Sequence, residues 1–398
     1  MTVLRNGNVI TESHVLAHHD LVVEDQRIVA IQPSGGDPGA PTGGAPDSRT
    51  SIDATDAWVM PGFIDVHADY VEHMAAPRPT SVMDFTLAIR ESERELISHG
   101  ITTMFHSLAL YDFSEFAPSP MRSPEHTRAL IDVIGQMHEA EHLIRHRFHA
   151  RFEIDNLRRV EELRAYIRDQ RVHLISFMDH TPGQGQYRDL ELYRKTLKAY
   201  RNISDDELVS VIEKSRSREK LTAETIAGIA ALAHEHGIAV ASHDDDTVEK
   251  LDFVSEIGAT ISEFPITLGV AKAACERGLH TVAGAPNVLL GGSHSGNLSA
   301  EEAIVAGVVD ILCSDYYPPA LLHAVFDLHV RRGFDLAQMV RLVTLNPARA
   351  VFLDGELGSL AIGKRADVLV VRPINGGFPA VTDALVDGSV VFQTRYRR

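Results

Sequence analysis

Cysteine is almost missing from this chain. Cys275 and Cys313 are the only two in 398 residues, too few for a disulfide framework and suited to a reducing compartment. Basic residues are outnumbered: 38 Lys and Arg stand against 55 Asp and Glu, a formal net charge of −17. Nucleic acid needs a basic footprint against its phosphates, so it is excluded as the main partner. A small anionic ligand needs only a local cluster of donors and stays open. No apolar run reaches spanning length, and "MTVLRNGNVITESHV" has no charged-then-apolar leader pattern. The expectation is a soluble cytoplasmic protein with no membrane partner. Its 44% hydrophobic and 23% charged residues are ordinary for a globular enzyme.

What the chain does have is regular alternation. "MTVLRNGNVI" and "HDLVVEDQRIVAIQ" read as short strands, the second with a polar tip between two β-rich arms. Residues 33–50 are rich in Gly and Pro and read as a flexible surface excursion. Eight apolar core strands follow: "GFIDVH", "ITTMFHSL", "FHARFEI", "HLISFMDH", "IAVASHD", "ATISEFPI", "HTVAGAPNVL" and "DILCSDYY". Helical stretches lie between them. Ser123 and Pro124 open one as N-cap and first-turn proline, Gly100 and Gly237 close others, and Ser299 with Glu302 has capping-box spacing. Residues 181–220 read as a polar insertion with helical character. The pattern predicts an α/β fold, a (β/α)8 TIM-like barrel over 59–354. Residues 1–58 plus 355–398 are expected to form a small β-sandwich domain from both termini.

Barrel active sites lie at the C-terminal strand ends. There the sequence places His67 and Asp69 (first strand), Glu153 (third), His180 (fourth), His243 (fifth) and Asp315 (eighth). Successive strand side chains alternate faces, so His67 and Asp69 emerge on one side. Imidazoles and carboxylates converging on one rim suit divalent metal ions. The expected centre holds two ions per chain, with Glu153 bridging and His67, Asp69, His180 and His243 completing the shells. Zn is favoured, and Mn or Fe suits the same donors. Water shared by two such ions is acidified toward neutral pH, and Asp315 is placed to orient it and take its proton. Taken singly, each His could be a satisfied polar residue, and Asp315 a helix cap. His149 shares a strand face with Glu153 and reads as a supporting group.

Two Gly-rich loops sit at the same rim, "PGQGQ" after His180 and "GGSHSGN" after the seventh strand. Their backbone N–H groups can face an anion, and Gln184, Ser293, His294 and Ser295 add donors. Arg78, in "APRP", could clamp a phosphate bidentately. Gly-rich loops are also ordinary turns.

With those residues assembled, the chain resembles the amidohydrolase superfamily, and within it the PhnM family of phosphonate catabolism. "PGFIDVHAD", "SFMDHTPGQGQY", "IAVASHDD", "GAPNVLLGGSHSGN", "ILCSDYYP" and "GKRADVLVV" carry the likeness across nearly the whole chain. The resemblance implies metal-dependent hydrolysis of α-D-ribose 1-methylphosphonate 5-triphosphate to the 5-phosphate and pyrophosphate. It departs at Tyr70, where the family has Asn after the Asp, and at Gly185, where it tends to have a basic residue. His180 and His243 also fall one strand earlier than the superfamily's usual arrangement. A small phosphorylated substrate is the expected partner, and a homodimer is among the expected assemblies. Two other readings use the same residues: hydrolysis of a cyclic amide or other C–N bond, and a non-catalytic subunit of a phosphonate-degrading assembly.

Overall fold

The structure is a computed structural model that describes residues 1–35, 50–78, 80–110, 121, 123–137, 139–200, 203–293 and 297–397. Most of the Gly/Pro-rich stretch expected as a surface excursion, 36–49, lies outside the described residues. The chain opens with β1 (Thr2–Ile10), β2 (Val15–Glu24), β3 (Arg27–Pro33), β4 (Thr50–Asp53) and β5 (Trp58–Pro61). Then come β6 (Phe63–Ala68), β7 (Ile101–Leu110), β8 (Arg145–Glu153), β9 (Leu174–Met178), β10 (Ala239–His243), β11 (Ile261–Glu263), β12 (His280–Gly284) and β13 (Ile311–Cys313). It closes with β14 (Val368–Ile374), β15 (Phe378–Val386) and β16 (Ser389–Gln393).

Strands β6 to β13 are parallel and pair in chain order. The sheet curls until β6 meets β13. Asp315 N–H donates to His67 O (3.0 Å), Asp69 N–H donates to Asp315 O (3.1 Å), and Ser314 N–H donates to the buried Asp65 carboxylate (3.1 Å). Further along the seam, Ile64 and Leu312 N–H donate to the carbonyls of Val343 and Leu342. The result is a nearly closed eight-stranded barrel. Its interior cluster joins Ile64, Val66, Phe105, Leu174 and Ile311 to Val351 and Leu357. Phe148 and Phe152, on the outer face of β8, pack with helix residues Leu130, Ile131, Leu163 and Ile167.

One irregularity aims the site. Asp65 pairs with Met104 and Ala68 with His106, so Val66 and His67 together face the single residue Phe105. Such a β-bulge changes the phase of a strand. Ile64 before it and Val66, its first residue, belong to the interior cluster. After it, Ala68 packs on the helix side, while His67 and Asp69 line the interior cavity. Strict alternation from Ile64 would have sent both outward.

The terminal strands form a separate sheet in the order β16-β15-β14-β5-β1-β2-β3, with β4 alongside β1. The chain passes from β5 to β6 through Gly62, where a Cβ would lie 2.2 Å from Thr102 Oγ1. The two sheets are also joined by Arg145 at the start of β8, which is buried and pairs with Asp367 and Asp387 beyond.

Two sequence expectations are refined. "HTVAGAPNVL" is strand only to Gly284. Ala285–Leu290 is a helix, because Pro286 in its first turn lacks the N–H that a continuing ladder would need. The 181–220 insertion contains helices Leu190–Tyr200 and Asp205–Arg216, the second opened by a Ser204/Glu207 capping box. Tyr193, Leu197, Leu208 and Ile212 give the insertion a small core of its own.

Candidate active site

Six barrel strands deliver polar side chains to one end of the barrel. β6 supplies His67 and Asp69, β8 supplies Arg151 and Glu153, and His180 follows β9. β10 ends in His243 and leads to Asp244, β11 ends in Glu263, and Asp315 lies just past β13. Among them, His67, Asp69, Arg151, His243, Asp244 and Asp315 line a cavity of about 500 Å³. Asp244 (φ 52°), Phe264 (φ 55°) and Asp315 (φ 59°) are all left-handed. Sparsely populated backbone of this kind costs on the order of 1–3 kcal/mol per residue. It turns the chain sharply at three strand ends that border the cavity.

Two groups of side chains are close enough to hold cations. Ligand atoms of His67, His243 and Glu263 lie within 4.8 Å of one another, as do those of His180, His243 and Asp244. His243 is common to both. His67 Nδ1 is 3.0 Å from Glu263 Oε1, and His180 Nδ1 pairs with Glu153 Oε1. His243 Nδ1 is 3.0 Å from Asp244 Oδ2 but outside hydrogen-bonding geometry. Both ring nitrogens of His243, Asp244 Oδ2 and Glu263 Oε2 are buried without hydrogen-bond partners. Buried polar atoms are rarely left so. Four such atoms of nitrogen and carboxylate type fit divalent cations, whose coordination would satisfy them.

Beneath this cluster His149 Nδ1 contacts Val66 O (3.1 Å), and Nε2 contacts Ser176 Oγ (2.8 Å). A carbonyl only accepts, so Nδ1 carries the proton. The ring centroid lies 5.2 Å from that of His67, a supporting position.

Burial, with Arg151 and His243 nearby, holds His67 well below the usual imidazole range, and burial takes His149 down to about 3. Burial opposes the charge on His180 too, but Glu153 and Asp244 outweigh it and raise that imidazole. Asp315 is lifted to about 6, by burial first and then by Asp69. A carboxyl poised there can exchange protons near neutral pH. It caps no helix, since Pro319 holds the N-cap of Ala320–Arg332.

The profile of the amidohydrolase family matches residues 58–391. The chain belongs to the amidohydrolase family. It is 32% identical over 326 residues to the alpha-D-ribose 1-methylphosphonate 5-triphosphate diphosphatase of Escherichia coli (strain K12), covering 81% of this chain and 85% of that one. Its fold is similar to that of molinate hydrolase (TM-score 0.64, 15% identity, 98% of this chain and 94% of the other). It is also similar to N-acetylglucosamine-6-phosphate deacetylase from Pasteurella multocida (TM-score 0.62, 15% identity, 98% and 99%). No helix among the described residues is long and apolar enough to cross a membrane.

Family membership and geometry together sort the expected site residues. His67, His180 and His243 enter the two cation-competent groups, whereas Asp69 and Glu153 belong to neither. Glu153 lies on His180 rather than between the groups. Ser293 lines the cavity, and His294 and Ser295 lie outside the described residues. Arg78 is exposed, forms an isolated backbone β-bridge with Ser81, and is not among the residues that line the cavity. Gln184 is exposed too; the glutamine that reaches the cavity is Gln186. His180 follows the fourth barrel strand and His243 ends the fifth, as counted from the sequence.

Sequence reasoning passed over Glu263, Asp244 and Arg151. Glu263 sits at the end of "ATISE" and Asp244 directly after His243, so the strand-end criterion would have found both. Of the two departures from the resembling family, Tyr70 pairs through its hydroxyl with Glu95. Gly185 is left-handed (φ 51°), and a Cβ there would lie 3.2 Å from Asp244 Cβ. Any side chain at 185 would press on the cation-competent group.

Proposed function

We propose that this amidohydrolase is a metal-dependent phosphoanhydride hydrolase. Its substrate would be α-D-ribose 1-methylphosphonate 5-triphosphate, cleaved between the α and β phosphates. The observation that carries this reading is the 32% identity to the Escherichia coli diphosphatase over 81% of the chain. It is supported by a cavity that joins donors of the cation-competent groups, His67, His243 and Asp244, to Asp315, Gln186, Ser293 and Asn297. His67, His243 and Glu263 would hold one ion, and His180, His243 and Asp244 the other; Zn, Mn and Fe all suit these donors. When bound, such ions supply Lewis acidity and make a water more acidic.

The residues of the chain do the rest. Asp315 orients the water and takes its proton. The water oxygen bonds to the α-phosphorus, the α–β bridging P–O bond breaks, and pyrophosphate leaves with the electron pair. Gln186, Ser293 and Asn297 meet the outer phosphates.

³¹P NMR of metal-loaded protein with the triphosphate tests this. Growth of 5-phosphate and pyrophosphate signals is the expected result. An unchanged spectrum from protein shown to hold its ions would reject the reading and favour C–N bond hydrolysis.

A further inference from the structure

Arg151 stands between His149 and Glu153 on the inward face of β8 and lines the cavity. Its Nε is buried with no hydrogen-bond partner among the described residues, and its charge acts on Glu153 and Asp315 without a hydrogen bond to either. Arg147 and Arg341 share an unpartnered buried Nε but do not line this cavity, whereas other arginines are paired. Arg145 is held by Asp367 and Asp387, Arg159 by Glu162, and Arg218 by Asp155. Acids are not scarce around Arg151, but they are turned to imidazoles: Glu153 to His180 and Glu263 to His67. A guanidinium serving only as counter-charge would pair with one of them, because an unpaired charge taken from water costs several kcal/mol. This one is held open beside Asp315 and the cation-competent groups.

We infer that Arg151 is the anion clamp of the site. It binds the non-bridging oxygens of the phosphoryl group under attack and selects anionic phosphoanhydrides over neutral amides. The identity of the anion rests on the function proposed above; the presence of an anion subsite does not. A guanidinium presents two parallel donors to a phosphoryl group, which neither the point charge of a lysine nor the surrounding imidazoles can match.

The test compares wild type, R151K and R151M, each loaded with metal. Metal content and thermal melting are measured first, then binding of methylenediphosphonate by calorimetry, then KM and kcat on the triphosphate. Expected for R151M are unchanged metal content and at least about a hundredfold weaker diphosphonate binding, as follows from losing two charge-assisted hydrogen bonds. R151K is expected to fall between. If the wild type turns over the triphosphate, KM rises in R151M. If it does not, the proposed function fails while diphosphonate binding still reads the clamp. Equal diphosphonate binding by wild type and R151M, or none by the wild type, overturns the inference. So does loss of metal or folding in R151M, when R151K keeps both and binds as wild type does. That pattern would make Arg151 a structural charge.

Discussion

His243 offers the sharpest test of how the site is organised. It is the residue common to both cation-competent groups, and both of its ring nitrogens are buried and unsatisfied. His67 and His180 each belong to one group only. Replacement by Asn removes a ligand from one centre at 67 or 180 and from both at 243. Wild type should therefore load two ions, H67N and H180N about one, and H243N close to none. The same order should appear in stability. At a free metal concentration about 100 times the dissociation constant, each occupied site adds about 2.7 kcal/mol. At roughly 2–4 °C per kcal/mol for a large domain, each lost site lowers the metal-dependent rise in melting temperature by about 5 °C or more. Elemental analysis after gel filtration gives the stoichiometry, and melting with and without a chelator gives the stability. An H243N protein that kept two ions, or that matched H180N in both assays, would refute the shared-ligand arrangement.

Other consequences are checked more simply. D315N should keep its metal content while turnover falls by about three orders of magnitude, in the range for loss of a general base; normal turnover in single-turnover kinetics would remove Asp315 from that role. R145M should leave Asp367 and Asp387 without their buried cation and cost about 3–5 kcal/mol in urea unfolding; a change below 1 kcal/mol would show that the joint between barrel and terminal sheet contributes little. His106 and His146 form a buried chain ending on Glu93, with Nε2 of His106 2.9 Å from Nδ1 of His146. Burial lowers both imidazoles, so the folded state binds fewer protons than the unfolded chain. Their contribution is complete above about pH 6.5 and is lost as pH falls below it, by up to about 1.4 kcal/mol per pH unit for each histidine. Unfolding midpoints of H106Q/H146Q between pH 7 and 5 should therefore slope less steeply than those of wild type, and an identical slope would refute this.

The eight strands were legible because fully buried parallel strands read as short apolar runs between helices with ordinary caps. Their polar ends were legible for a related reason. A chain that breaks an apolar run with His or Asp at strand after strand is hard to explain by burial alone. Periodicity fails where backbone changes phase or bends, and the site lies where that happens. The bulge at Val66 and His67 decides that His67 and Asp69 face inward, and it exists only through pairing with β7. The left-handed turns at Asp244, Phe264 and Asp315 likewise arise at strand ends within the assembled barrel.

The sequence by itself therefore determined the barrel, the separate sheet from the two termini, and most of the polar rim. Those depend on hydrophobic pattern and on side-chain chemistry, both of which are local. Only the tertiary structure decided that His243 is shared by two groups, that Glu263 reaches His67 across the barrel, and that Gln186 rather than Gln184 faces the cavity. It alone left the buried Nε of Arg151 without a hydrogen-bond partner among the described residues. Those are distances between residues far apart in the chain, and they are set by how the barrel closes.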